Sequence, residues 1–224
     1  MWNEDRGILV GRQIKEVLSP VYLRFTKEIL FMGLAVRKRE ERFTYGDYLT
    51  WPEEERWELI DGVAYDMSPA PSRRHQGIVV ELVSQFHNYL KDKPCEVYVA
   101  PFDVRLPDFD EADEETETVV QPDIVVVCDS NKLDDRGCKG DPDIVIEILS
   151  PCTTKKDLVI KYHLYERHKV KQYWVFDPTT EEVVIFKLKN DKYNLPEEYK
   201  KEDKIKVDIF KDLEIDLSTI FKEK

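Results

Sequence analysis

Two near-continuous β-branched runs constrain this chain more than anything else in it: Val119-Val-Gln-Pro-Asp-Ile-Val-Val-Val-Cys and Pro142-Asp-Ile-Val-Ile-Glu-Ile-Leu. A half-solvated strand alternates apolar and polar residues, whereas a strand apolar at almost every position is one buried on both faces. The two runs are therefore expected to form the middle of a sheet. Each also carries an acid where none is cheap. Asp123 follows Pro122 at the head of the first run, and Glu147 lies between Ile146 and Ile148 in the second.

The rest of the chain supplies what such a sheet needs. Ser72 is a candidate helix cap, and Ile78, Val79, Leu82, Val83, Phe86, Tyr89 and Leu90 recur at helical spacing, marking a long amphipathic helix that packs on the sheet. Thr44 to Trp51 and the acids after Pro52 read as short helical pieces. Glu58 to Met67 reads as a hairpin turning at Asp61-Gly62. Val97 to Val99 and Phe102 to Leu106 read as one strand bent at Pro101, followed by an acidic, solvated loop over Asp108 to Glu117. Thr153 or Thr154 is positioned to cap a helix running to about His168. Gln172 to Phe176 and Glu182 to Leu188 are further strands, and the tail reads as a weak hairpin and a short helix. The pattern is α/β.

With 224 residues, 42% of them hydrophobic, the length fits one domain with an appendage. Residues 1–40 show no sustained period and are assigned as the appendage, with 41–224 as the domain. Met32 opens a stretch that reads like an ordinary protein beginning, so translation is expected to start there. The formal charge of −12, from 46 acids against 34 bases, argues against a protein that coats a polyanion through its net charge. It leaves open an enzyme with a local cation cluster. The four cysteines, Cys95, Cys128, Cys138 and Cys152, lack C-x-x-C spacing, so neither a zinc site nor a disulfide framework is expected. No apolar run is long enough to span a bilayer, so no membrane partner is expected and cytoplasmic localisation is the default.

Burying Asp123 and Glu147 in such surroundings costs several kcal/mol unless a cation or strong hydrogen bonds compensate. A divalent metal is the economical compensator. Mg2+, or Mn2+ in its place, takes hard oxygen ligands, one or two carboxylates with waters. The other reading is a structural ion pair of Glu147 with a lysine or a bond to a backbone amide. The segment after the second run bears on the choice: Asp157, Lys161, Tyr165 and His168 are spaced to share one helix face. From there Lys161 can hold an attacking water or a phosphate oxygen.

At these residues the chain resembles the Uma-two family, restriction-endonuclease-like proteins of the PD-(D/E)XK nuclease superfamily. The likeness runs from about Phe43 to Leu188. It is carried by Trp57-Glu-Leu-Ile-Asp-Gly, Ser68-Pro-Ala-Pro-Ser-Arg-Arg-His-Gln, Gln121-Pro-Asp, Ile146-Glu-Ile-Leu-Ser-Pro and the stretch from Lys161 to Trp174-Val-Phe-Asp-Pro. The resemblance implies a restriction-endonuclease-like fold, a central mixed β-sheet flanked by helices, with Asp123 and Glu147 as metal ligands. The superfamily's usual lysine two residues after the second acid is absent, since that position is Leu149. Lys161 is the candidate replacement, with Lys155 and Lys156 as rivals.

Two further matches extend the site that the resemblance implies. Glu58 is a candidate third metal ligand or else a structural ion pair. Arg73, Arg74 and His75 stand where a helix N-terminus favours anions, so they are candidates to grip a substrate phosphate, with Gln76 as a supporting group. The implied activity is Mg2+-dependent hydrolysis of phosphodiester bonds in nucleic acid, DNA in the first instance, with Asp123, Glu147, Lys161 and His75 as the catalytic set. A homodimer is expected by superfamily analogy. The rivals are a binding module for nucleic acid or protein with a dead nuclease site, and metal-free acid/base hydrolysis of a sugar or ester.

Overall fold

The computed structural model describes residues 41–222 apart from 53, 68–69, 151–153 and 155, so the expected start at Met32 lies outside the described residues. A short helix α1 (Tyr45–Tyr48) opens the domain. It is closed by a capping box in which the Thr44 hydroxyl accepts from the Asp47 amide and the Asp47 carboxylate accepts from the Thr44 amide. Among the described residues after Pro52 no second helix forms before the first strand. Strands β1 (Trp57–Ile60) and β2 (Val63–Asp66) make the expected hairpin. Its turn residues Asp61 and Gly62 both take positive φ, 50° and 72°, the backbone a two-residue turn between twisted strands demands. Helix α2 (Arg73–Leu90) starts where Ser72 accepts from the His75 amide, and it buries Ile78, Leu82, Phe86 and Leu90.

Then come β3 (Glu96–Val99), β4 (Val104–Arg105), β5 (Val119–Val120), β6 (Ile124–Val127), β7 (Leu133–Asp134), β8 (Gly137–Lys139) and β9 (Ile144–Ile148). A π-helical stretch, Lys156–Lys161, runs into α3 (Tyr162–Arg167). The chain ends with β10 (Gln172–Asp177), β11 (Glu182–Lys189), β12 (Lys192–Tyr193), β13 (Glu197–Lys200), β14 (Lys204–Lys206), β15 (Glu214–Asp216) and α4 (Leu217–Ile220). The larger sheet has the order β12-β11-β10-β9-β6-β3, with β13 also on β11, and a smaller one has the order β2-β1-β5-β4-β8-β7. Strands β9 and β10 are parallel and β6 and β9 antiparallel, so the large sheet is mixed.

As the β-branched runs require, β6 and β9 lie inside the large sheet and every residue of both is buried. Ile124, Val126, Ile144, Ile146 and Ile148 pack on α2 and the carboxy-terminal elements. Val125, Val127, Val145 and Leu149 pack on the opposite side, against Leu158, Leu164 and Tyr165.

Two expected strands divide instead of bending. Val119–Val120 belongs to the small sheet and Ile124–Val127 to the large one, because Pro122 has no N–H to continue a ladder. Glu96–Val99 and Val104–Arg105 divide between the same two sheets around Pro101. The two crossings touch, with the Ala100 amide donating to the Asp123 carbonyl at 3.2 Å. This seam is where the site lies.

Two further expectations are corrected. Cys95 and Cys128 form a disulfide, their Cα atoms 3.9 Å apart, one step beyond the Glu96–Val127 pair of the β3–β6 ladder. Strand register, hidden across 33 residues of sequence, brings them together. The acidic loop is also less free than its charge implies. Arg105, with no exposed surface, pairs with Asp113 and Asp134 at 2.7 Å each, which pins the loop to the small sheet. Among the described residues no helix is long and apolar enough to cross a membrane.

Candidate active site

In the β6–β9 ladder Ile124 stands opposite Ile146 and Val125 opposite Val145. One step further, the same register sets Asp123 against Glu147. Side chains opposed across a ladder project from the same side of the sheet. The two acids therefore lie together at one end of the central strands, and both line a cavity of about 660 Å³.

Asp123 is held through one oxygen. Its Oδ2 accepts from the Ile148 amide at 2.8 Å and faces His75 Nε2 at 3.1 Å. An ionised carboxylate only accepts, so Nε2 is the protonated ring nitrogen in this contact. The first turn of α2, fixed by Ser72, positions that ring. Among the described residues its buried Nδ1 finds no partner.

Glu147 is held from the opposite side. Its Oε1 accepts from Lys161 Nζ at 2.7 Å and from Tyr165 Oη at 2.9 Å. Lys161 is 2% exposed and its ammonium also lies 2.7 Å from Glu58 Oε1 and 3.8 Å from Asp157 Oδ1. The π-helical stretch, a form often found where a helix serves a functional site, brings Asp157 and Lys161 inward. Glu58 Oε1 also accepts from the Gln121 amide at 3.0 Å, and its Oε2 from Lys156 Nζ at 2.6 Å. Both Glu58 oxygens are thus engaged by the chain's own groups.

Among the described residues, Glu58, Glu147 and Asp157 surround the Lys161 ammonium, Lys156 pairs with Glu58, and Asp123 stands close enough to repel Glu147. Carboxyl groups outnumber ammonium groups there by four to two. Burial works against the Glu58 carboxylate, but Lys161 and Lys156 outweigh it and hold its pKa below the ordinary value. For Glu147 burial wins: Lys161 opposes it only in part, Asp157, Asp123 and Glu58 add repulsion, and the pKa rises to about 8. Burial disfavours the Lys161 ammonium, yet Glu147, Glu58 and Asp157 more than compensate, so it stays protonated.

A family model described as "putative restriction endonuclease", Uma2, matches residues 45–218. The chain belongs to the Uma2 family. An uncharacterised protein of Synechocystis sp. is 29% identical over 147 residues, 65% of this chain and 73% of its own length. A crystal structure described as a putative nuclease of the DUF820 group, from Anabaena variabilis, superposes with a TM-score of 0.64 at 20% identity, covering 80% of this chain and 97% of that one. That likeness shows the fold, which is restriction-endonuclease-like as the sequence resemblance implied.

Within this Uma2 fold the other expected residues scatter. Leu149, where the superfamily's lysine would stand, is buried in the apolar core, and the ammonium at Glu147 comes from Lys161. Lys156 pairs with Glu58, while Lys155 lies outside the described residues. Arg74 lines the cavity but pairs with Glu181 at 2.7 Å, and Arg73 does not line it. Gln76 is exposed on the cavity wall. His168 turns away to Asp108, 3.5 Å distant. Sequence reasoning gave no role to Arg56 or Gln121, which also line the cavity. Arg56 precedes Glu58 by two residues along one strand direction, a same-face signal readable without the structure.

Proposed function

We propose that this Uma2 protein is a metal-dependent endonuclease that hydrolyses phosphodiester bonds of nucleic acid, DNA in the first instance, with Mg2+ as cofactor and Mn2+ able to replace it. One observation carries the reading. Asp123 and Glu147 oppose each other at a cavity wall, and their hydrogen bonds fall on Oδ2 and Oε1 alone, so each keeps a second oxygen without a bond among the described residues. Two such oxygens, side by side in a cluster where carboxyl groups outnumber ammonium groups, are a fit for a hard divalent cation. Mg2+ needs only one or two protein carboxylates, with waters completing its shell.

Asp123 and Glu147 would hold the ion, which when bound lowers the pKa of a coordinated water and neutralises phosphate charge. The chain's own groups do the rest. Ile148 N–H and His75 fix the direction of Asp123, and Tyr165 fixes Glu147. Lys161, anchored between Glu58 and Glu147, supplies a compact positive charge beside the reacting phosphate or the attacking water.

Supercoiled plasmid, single-stranded DNA and RNA incubated with Mg2+, Mn2+ or EDTA test the reading. Cleavage is expected with the metals and not with EDTA, and it should vanish in Asp123→Ala and Glu147→Ala. Activity persisting in both variants removes the metal site. The complete engagement of Glu58 favours a second reading, a nuclease fold retained as a binding module. Calorimetry with Mn2+ separates the two, because such a module has no saturable site that depends on Asp123.

A further inference from the structure

Arg56 is set apart from the other cations of the cavity. Its carbonyl accepts from the Met67 amide at 3.0 Å, which extends the β1–β2 ladder by one step, so its side chain leaves the same face as Glu58. Lys156 pairs with Glu58, Lys161 with Glu58 and Glu147, and Arg74 with Glu181. Arg56 forms no ion pair among the described residues. Its Nη2 donates to Gln121 Oε1 at 3.0 Å, and its buried Nε has no partner there.

Gln121 is in turn fixed. Its Nε2 donates to Asp103 Oδ1 at 2.9 Å and Tyr48 Oη at 3.1 Å, so its amide oxygen has one possible orientation, toward the arginine. A chain of neutral and acidic groups thus holds a guanidinium at the wall without neutralising it. Arginine does not deprotonate in proteins, and its remaining donors form a planar fork that matches two phosphate oxygens.

We propose that Arg56, oriented by Gln121, is an anion subsite that grips a phosphate of the nucleic-acid backbone beside the Asp123–Glu147 pair. The assignment rests on the nuclease reading and makes Arg56 a positioning residue that acts on substrate binding. Of the expected phosphate contacts at the start of α2, Arg74 shares the cavity wall with Arg56, and Arg73 does not line it.

The test uses a fluorescein-labelled DNA oligonucleotide, with binding followed by anisotropy in Ca2+ across a salt series and cleavage in Mn2+. Loss of one charge-assisted contact in Arg56→Gln should weaken binding about tenfold. The log–log salt slope should fall by about one. KM should rise in step, with kcat within about twofold of wild type. Arg56→Lys keeps the charge and loses the fork, so it should recover the salt slope but not the full affinity; it carries the same readouts if the glutamine variant does not fold. Wild-type binding and KM in both variants would overturn the subsite while leaving the nuclease reading intact, as would a fall in kcat at constant KM. A wild-type protein that neither binds nor cuts nucleic acid would overturn both.

Discussion

Glu147→Gln separates the two roles a buried carboxylate can have, cation ligand or structural ion pair. The amide has nearly the same shape, and its oxygen can still accept from Lys161 and Tyr165, which contact Oε1 at 2.7 and 2.9 Å. Only the charge goes. In the folded wild type the Glu147 pKa stands at about 8 against an ordinary 4.5, raised by burial and by Asp157, Asp123 and Glu58. Between those values the native state holds a proton the unfolded chain has released. Stability therefore falls as pH rises through that window, and the full cost is present above it. At about 1.36 kcal/mol per pKa unit the cost is capped at roughly 5 kcal/mol. Relaxation and water entry reduce that to about 2–3 kcal/mol. At about 2–4 °C per kcal/mol, the variant should melt roughly 5–10 °C above wild type at pH 8 in EDTA, with the gap closing toward pH 5. Thermal melts across that pH range measure it. A variant melting well below wild type at pH 8, as expected if about 3–5 kcal/mol of ion pairing is broken, would make Glu147 a structural partner of Lys161 and refute the argument.

The same geometry yields three more expected outcomes. Lys161→Met removes the ammonium that Glu58, Glu147 and Asp157 share, and it should cost about 3–5 kcal/mol in urea unfolding as well as abolish cleavage; near-native stability would show that the network is not a unit. Mg2+ at about 100 times its Kd should stabilise the wild type by about 2.7 kcal/mol and leave Glu147→Gln unprotected, read as melting temperature against metal concentration. Ser72→Ala removes the cap of α2 at about 1 kcal/mol and, because the same turn sets His75 against Asp123, should lower cleavage in a native-like fold, measured by denaturation and kinetics in parallel.

What was legible in the sequence was whatever local periodicity or composition encodes. The β-branched runs gave the centre of the sheet, and the spacing from Ile78 to Leu90 gave α2. What was not legible depends on register and crossing. Pro122 marks a break in the run from Val119 to Cys128, but that the two halves join different sheets is not readable there, because both are apolar and both end buried. The Cys95–Cys128 pair is one step of a ladder formed by segments 33 residues apart, and only the strand pairing reveals it. Arg56 was readable from its two-residue offset to Glu58. Its lack of an ion pair among the described residues was not, since that depends on which cations reach the acids first.

The placement of Lys161 shows how such a site is specified. A lysine at the position of Leu149 would start from the strand itself, two residues from Glu147 and on the same face. Here that face is needed for packing, and Leu149 fills it beside Val145 and Leu158. The ammonium arrives from the helix instead, and the π-helical turn before α3 sets its reach. Its position is then fixed by Glu58 on the small sheet as much as by Glu147 on the large one. The charge at the site is therefore coupled to how the two sheets meet. A core substitution that shifts one sheet against the other should impair cleavage before it unfolds the protein.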